Sequence, residues 1–196
     1  MPDSPPEAAF YFDLASPLAY FAAEQVLQAL PQPLPWYPVL AGGLPDGHRS
    51  EGWRHAQDGE ISRSALERRA LELGLAPVRW PSPFPFDSDL AMRVATYAKG
   101  IGRVVPFALA AFRQAFAGGH ALDQSDHVLI AAAACEMHPR AVLAAAQRQS
   151  IAGELRETTA QAAAAGVTEV PAIRVGHQVF IGARALQDAA LLTGAR

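Results

Sequence analysis

The pattern of apolar and polar positions changes period several times along the chain, and each change predicts an element. Ala8 to Leu14 is an almost unbroken apolar and aromatic run with Asp13 its one charge, which predicts a short strand buried on both faces. Ser16 and Pro17 follow as a favoured N-cap and a favoured first helical residue. Leu18 to Leu30 (LAYFAAEQVLQAL) then continues as a helix with no Gly or Pro. A strand running directly into a helix start aims N–H groups and the positive end of the helix dipole at whatever sits above Ser16, so the position suits an anion or a thiolate.

Beyond a proline-rich turn at 31–35, Trp36 to Leu40 predicts a second strand, which Pro38 places at an edge. Ala41 to Glu60 reads as a long polar loop with one helical turn at most. Ile61 to Gly74 predicts a helix capped by Ser62, with Leu66, Ala70 and Leu73 as its apolar stripe. Pro77 to Asp87 holds four prolines and must be extended. Helices are then predicted over Ser88 to Gly102 with a serine cap, Val104 to Ala117, Asp123 to Met137 with Asp123 or Ser125 as cap, Pro139 to Gln149, and Gly153 to Ala165. Near the end the period returns to two. Gly166 to Val175 reads as a turn and a strand, Gly176 and His177 as a tight turn, Gln178 to Ile181 as the returning strand, and Ala185 to Leu192 as a last helix. The order β-α-β, helices, β-β-α predicts an α/β fold: a thioredoxin-like mixed sheet interrupted by a large helical insertion. Residues 1–40 and 166–196 would form the thioredoxin-like domain and 41–165 the insertion.

Composition narrows the function classes. With 196 residues, 51% hydrophobic and 18% charged, the chain is rich in core. A net charge of −3 offers no footprint for nucleic acid or an anionic membrane surface. No apolar run reaches membrane-spanning length, and the first residues lack a basic region and an apolar core, so the expected setting is the cytoplasm. The single cysteine, Cys135, rules out an internal disulfide or dithiol couple. The six histidines show no metal-ligand spacing, so no metal is expected.

Four stretches carry a family resemblance: Phe10 to Tyr20 (FYFDLASPLAY), Phe84 to Arg93 (FPFDSDLAMR), Gly166 to Ala172 (GVTEVPA) and Phe180 to Gly182 (FIG). Together they resemble the DsbA-like proteins of the thioredoxin superfamily, specifically the 2-hydroxychromene-2-carboxylate isomerases and kappa-class glutathione transferases. The resemblance implies a glutathione-dependent isomerase or transferase acting on an aromatic or hydrophobic small molecule. Ser16 would be its catalytic residue, standing where a thiol oxidoreductase has its first cysteine and holding the glutathione sulfur as thiolate. Val170 and Pro171, joined by a cis peptide, would bind the cofactor with Gly182 and Arg184. Dimers are common in that family, although no heptad or apolar patch here demands one.

Two departures stand out. Relatives follow the last strand with Trp-Gly-x-Asp-Arg, whose aspartate helps hold the γ-glutamyl amine; this chain has Gly182, Ala183 and Arg184, so another carboxylate would have to serve that amine. The Gly42 to Pro45 and Arg49 to Arg54 stretches also differ, which implies an altered substrate pocket. Candidate pocket residues are Asp13, Pro17, Tyr20, Trp53, Trp80, Phe84 and Asp87, the aromatics as walls for an aromatic substrate. Each has a structural reading beside the functional one: Ser16 as a cap, Asp13 as a satisfied buried acid, Asp87 and Ser88 as helix caps, the aromatics as core. Two other classes of function remain open. One is a non-catalytic thioredoxin-like scaffold binding a peptide or small ligand. The other is a thiol oxidoreductase, disfavoured because neither Ser16 nor Ala19 is cysteine.

Overall fold

The chain is organised by strand β1 (Ala8–Phe12), which occupies the inside of a four-stranded sheet in a computed structural model that describes residues 6–47 and 63–194. It pairs in parallel with β2 (Trp36–Pro38) and antiparallel with β3 (Ala172–Val175), which in turn pairs antiparallel with β4 (Gln178–Ile181). The order is β2-β1-β3-β4, so Pro38 does lie on an edge strand. The register sets Phe10 opposite Trp36 and Tyr11 opposite Tyr37. Alternation sends Phe10 and Phe12 to one face of the sheet, and Ala9 and Tyr11 to the other.

The two faces have different covers. Helices α1 (Pro17–Ala29) and α8 (Ala185–Thr193) share a core with Phe10 and Phe12. On the opposite face Ala9 and Tyr11 pack with Ala162 of α7 (Gln149–Ala164) and with Val39, Val167 and Val170. Between β2 and β3 lies the helical insertion: α2 (Arg63–Glu72), α3 (Asp89–Gly100), α4 (Val104–Phe116), α5 (Ser125–Ala133), α6 (Pro139–Ala146) and α7. Helix α4 joins insertion to sheet through aromatic side chains. The Phe112 ring lies 5.9 Å from Phe12 and 6.1 Å from Tyr20, and Phe116 stacks on Tyr20 at 5.7 Å. This is the mixed thioredoxin-like sheet with a helical insertion that the sequence predicts.

Several boundaries move for identifiable reasons. β1 ends at Phe12 because the next residues turn, the Asp13 carbonyl accepting from Ser16 N–H at 3.0 Å. Helix α7 starts at Gln149, four residues before the predicted Gly153. Its buried stripe Ala152, Leu155, Thr159, Ala162 includes a residue ahead of that glycine, and burying Ala152 outweighs the roughly 1 kcal/mol that an interior glycine costs. Helix α5 is capped by neither Asp123 nor Ser125; Gln124 holds the cap position without a side-chain bond. The polar loop after β2 contains a 3-10 turn at Ala41–Gly43; its continuation through 48–62 lies outside the described residues.

Candidate functional site

At the head of α1, Ser16 takes the N-cap position, with Pro17 as the first helical residue. Its Oγ accepts from Ala19 N–H at 3.2 Å and its carbonyl accepts from Tyr20 N–H at 3.0 Å. The residue is only 7% exposed. Because the cap uses Oγ as an acceptor, the hydroxyl proton remains available to a neighbour.

Ser16 lines a cavity of about 690 Å³ whose walls come from four separate parts of the chain. Asp13 forms its inner end, 3% exposed. Its Oδ1 accepts from Ala15 N–H at 2.9 Å, its Oδ2 accepts from Ala41 N–H at 2.8 Å, and the Ser88 hydroxyl also bonds to it. Burial pushes the carboxyl above its ordinary value, while these three bonds pull the other way. The 40–43 turn is the second wall, pinned by Asp13 and by Leu40 N–H donating to Thr159 Oγ1 at 3.0 Å. The start of α3 is the third. There Asp87 Oδ1 accepts from Asp89 N–H at 2.9 Å, so Asp87 does the capping. Ser88 holds the N-cap position of α3 as predicted, but without a side-chain cap bond, its hydroxyl bonding instead to Asp13. Arg156 of α7 is the cation on this cavity.

A second cavity of about 290 Å³ lies between α1, α2, α8 and the segment entering β3. Leu18, Phe21, Leu66 and Leu186 make it apolar; Arg68, Arg69, Gln25 and Gln187 give it polar edges; Pro171 and Gly182 close one end. The Val170–Pro171 peptide is cis. Gly182 donates its N–H to the Pro171 carbonyl at 2.8 Å and has φ +73°, a region that favours glycine. A Cβ there would sit 2.7 Å from Glu169 Oε1, so only glycine leaves that carboxylate its place. The sheet order explains the pairing of cavities. With β1 between β2 and β3, the loop leaving β2 borders one side of the first turn of α1, and the segment entering β3 borders the other.

The predicted site residues therefore separate. Ser16, Asp13 and Asp87 surround the first cavity, while Pro171 and Gly182 meet at the second, with Val170 fully buried beside them. Pro17 is buried in the first turn of α1. Tyr20 lies in the core, 2% exposed, between Phe21 and Phe116 rather than on a cavity wall. Trp80 and Phe84 pack against each other with tilted rings, centroids 5.0 Å apart, Trp80 donating to Glu67 Oε1 at 2.7 Å. Arg184 turns outward, its side chain 78% exposed and 3.5 Å from Asp188, and does not line the second cavity. Trp53 lies outside the described residues. Arg68, Arg69, Arg156 and Thr159 escaped the sequence reading. The available signal was that each stands on or beside a buried stripe, Arg69 three residues after Leu66 and Arg156 four after Ala152.

Among the described residues no cluster of acids, histidines or cysteines could hold a metal ion, and no helix is long and apolar enough to cross a membrane. Cys135 is buried, its thiol pushed up by desolvation, and lines neither cavity.

With this geometry in hand, comparison with known proteins is informative about the fold. The family model described as a DSBA-like thioredoxin domain matches residues 8–191. Among solved structures, a 2-hydroxychromene-2-carboxylate isomerase superposes with a TM-score of 0.79 at 16% identity, over 95% of this chain and 94% of that one. A probable DsbA oxidoreductase of Streptomyces coelicolor gives 0.72 at 19% identity, over 96% and 90%. The DsbA oxidoreductase of Xylella fastidiosa gives 0.57 at 14% identity, over 96% and 82%. Curated protein sequences give no match.

Proposed function

This chain belongs to the DSBA-like thioredoxin domain family, and from that premise we propose that it is a glutathione-dependent isomerase or transferase acting on an aromatic or hydrophobic small molecule. The observation that carries the reading is Ser16: a nearly buried hydroxyl on the first turn of α1, its proton unused by the cap, with a cavity on either side of that turn. A disulfide exchange enzyme needs a thiol pair here, and serine at 16 with alanine at 19 supplies none.

Glutathione, when bound, would supply the nucleophilic sulfur that the chain lacks. The Ser16 O–H would donate to that sulfur and favour its ionised form, assisted by the positive end of α1. The cavity with Pro171 and Gly182, apolar inside and edged by Gln25, Arg68 and Gln187, would take a peptide-like group. The larger cavity, walled by Leu40, Pro85 and Phe86, fits the hydrophobic substrate.

Titration calorimetry with glutathione tests the reading, and the ultraviolet absorbance of the bound thiolate tests the role of Ser16. Wild type should bind at millimolar concentration or below and lower the thiol pKa. Ser16→Ala should retain binding and lose about one unit of that lowering, the worth of one hydrogen bond to the charged form. Absence of binding at millimolar glutathione overturns the proposal. Binding without turnover of any chromene carboxylate or chloro-dinitro aromatic would leave a ligand-binding scaffold.

A further inference from the structure

Two serines hold N-cap positions on the larger cavity, and their hydroxyls are used in opposite senses. Ser16 caps α1 with its oxygen, accepting from Ala19 N–H at 3.2 Å, which leaves its proton free. Ser88 holds the same position on α3 but makes no side-chain cap bond. There the side-chain bond comes from Asp87, whose Oδ1 accepts from Asp89 N–H at 2.9 Å. The Ser88 hydroxyl bonds to Asp13 in the sense that favours the ionised acid, so Ser88 is the donor. A hydroxyl with its proton committed keeps two lone pairs. Among the described residues no group donates to them. Ser88 is 9% exposed, so a ligand that fills the cavity takes the water from this oxygen and must replace the bond.

The other polar side chains on the cavity offer something different. Asp13 is 3% exposed and already receives donors from Ala15, Ala41 and Ser88. Asp89 Oδ2 lies 2.7 Å from Arg93 Nη2. Asp87 is exposed, so a bond to it exchanges for one to water and discriminates little. Arg156 is a donor only. Among the described side chains lining the cavity, Ser88 is thus the nearly buried acceptor with capacity to spare. Leu40, Pro85 and Phe86 make the rest of the wall apolar.

We propose that Ser88 is a specificity-determining residue of this cavity, its oxygen accepting a hydrogen bond from a hydroxyl on an aromatic ligand. A phenol is then preferred to the same ring without a donor, because the ring alone strands a desolvated acceptor. The inference rests on the reading of this cavity as the substrate site, and divides the work there: Ser16 addresses the sulfur and Ser88 the electrophile.

Calorimetry with 1- and 2-naphthol and their methyl ethers tests this without glutathione present. At least one naphthol should bind wild type about tenfold more tightly than its ether, the worth of one hydrogen bond in a nearly buried site. Ser88→Ala should abolish that preference by weakening the naphthol and not the ether, and Ser88→Thr, which keeps the hydroxyl, should retain it. The wild-type comparison needs no variant to fold. Equal affinity of naphthols and ethers, a preference that survives Ser88→Ala, or no naphthol binding up to its solubility limit overturns the inference. Glutathione is titrated separately into wild type. Its binding without a naphthol preference overturns the inference alone, and a naphthol preference without glutathione binding overturns the enzyme reading alone.

Discussion

Replacing Thr159 by valine tests whether the wall of the Ser16 cavity is held from helix α7. The side chain is 4% exposed, and its Oγ1 accepts from Leu40 N–H at 3.0 Å while donating to the Leu155 carbonyl at 2.8 Å. Valine keeps the shape and removes the hydroxyl. The Leu40 N–H then loses its acceptor, which costs about 1–3 kcal/mol for a donor shut away from water. The new methyl would also stand where Oγ1 stood, and carbon contacts prefer about 3.5–4.0 Å, so the turn must move outward by roughly half an ångström. Against this, burying a methyl returns about 0.8 kcal/mol, and the lost bond to Leu155 is a back-bond that contributes little to the helix. The net expectation is a loss of about 1.5 kcal/mol, a fall of about 3–6 °C in Tm for a chain of this size. Chemical denaturation gives the magnitude, and native-state hydrogen exchange locates it. The Leu40 amide should be protected in wild type and in Thr159→Ser, which keeps the acceptor, and lose protection in Thr159→Val. Unchanged protection of Leu40 in the valine variant would refute the anchoring argument whatever happened to overall stability.

Three further outcomes follow from the same geometry. Burial raises the Asp13 carboxyl above its unfolded value of about 4; the native state therefore holds its proton longer, and stability contributed at this position falls as pH rises from about 4 through the raised value. Denaturation of wild type and Asp13→Asn across that window should show the difference sloping downward with pH, and an upward slope would contradict the assignment. Met92 Sδ accepts from the buried Leu14 N–H at 3.2 Å, so Met92→Leu, usually a mild exchange, should cost about 1–3 kcal/mol by orphaning that donor; a urea midpoint indistinguishable from wild type would argue against the bond. Phe112 touches both Phe12 and Tyr20, and Phe112→Ala should cost about 3–5 kcal/mol, or roughly 10 °C in Tm by calorimetry. Loss of insertion helices with an intact sheet would instead separate the two parts that the shared core joins.

What the amino-acid order determined by itself was everything set by neighbours within a few residues. Ser16 and Pro17 start a helix because a side-chain oxygen and a fixed φ act locally, and the structure finds the cap bond to Ala19. The apolar run from Ala8 places a buried strand, and Gly176 with His177 closes a hairpin, since both signals are short-range. Tertiary packing decided which charged side chains face a cavity. Arg184 looked well placed because it follows Gly182 in sequence, yet the turn into α8 sends it outward to Asp188. Arg68 and Arg69 face the cavity only because α2 lays its Leu66 and Ala70 stripe toward α1 and α8. Ser88 reads as a cap and holds that position, but the fold brings the Asp13 carboxyl within reach of its hydroxyl, and the side-chain bond at the helix start comes from Asp87. Likewise Glu169 lies thirteen residues before Gly182, and no local pattern couples them. Backbone preferences and apolar periodicity are written residue by residue; the address of a polar side chain depends on what another segment sets opposite it, and that exists only once the sheet has closed around β1.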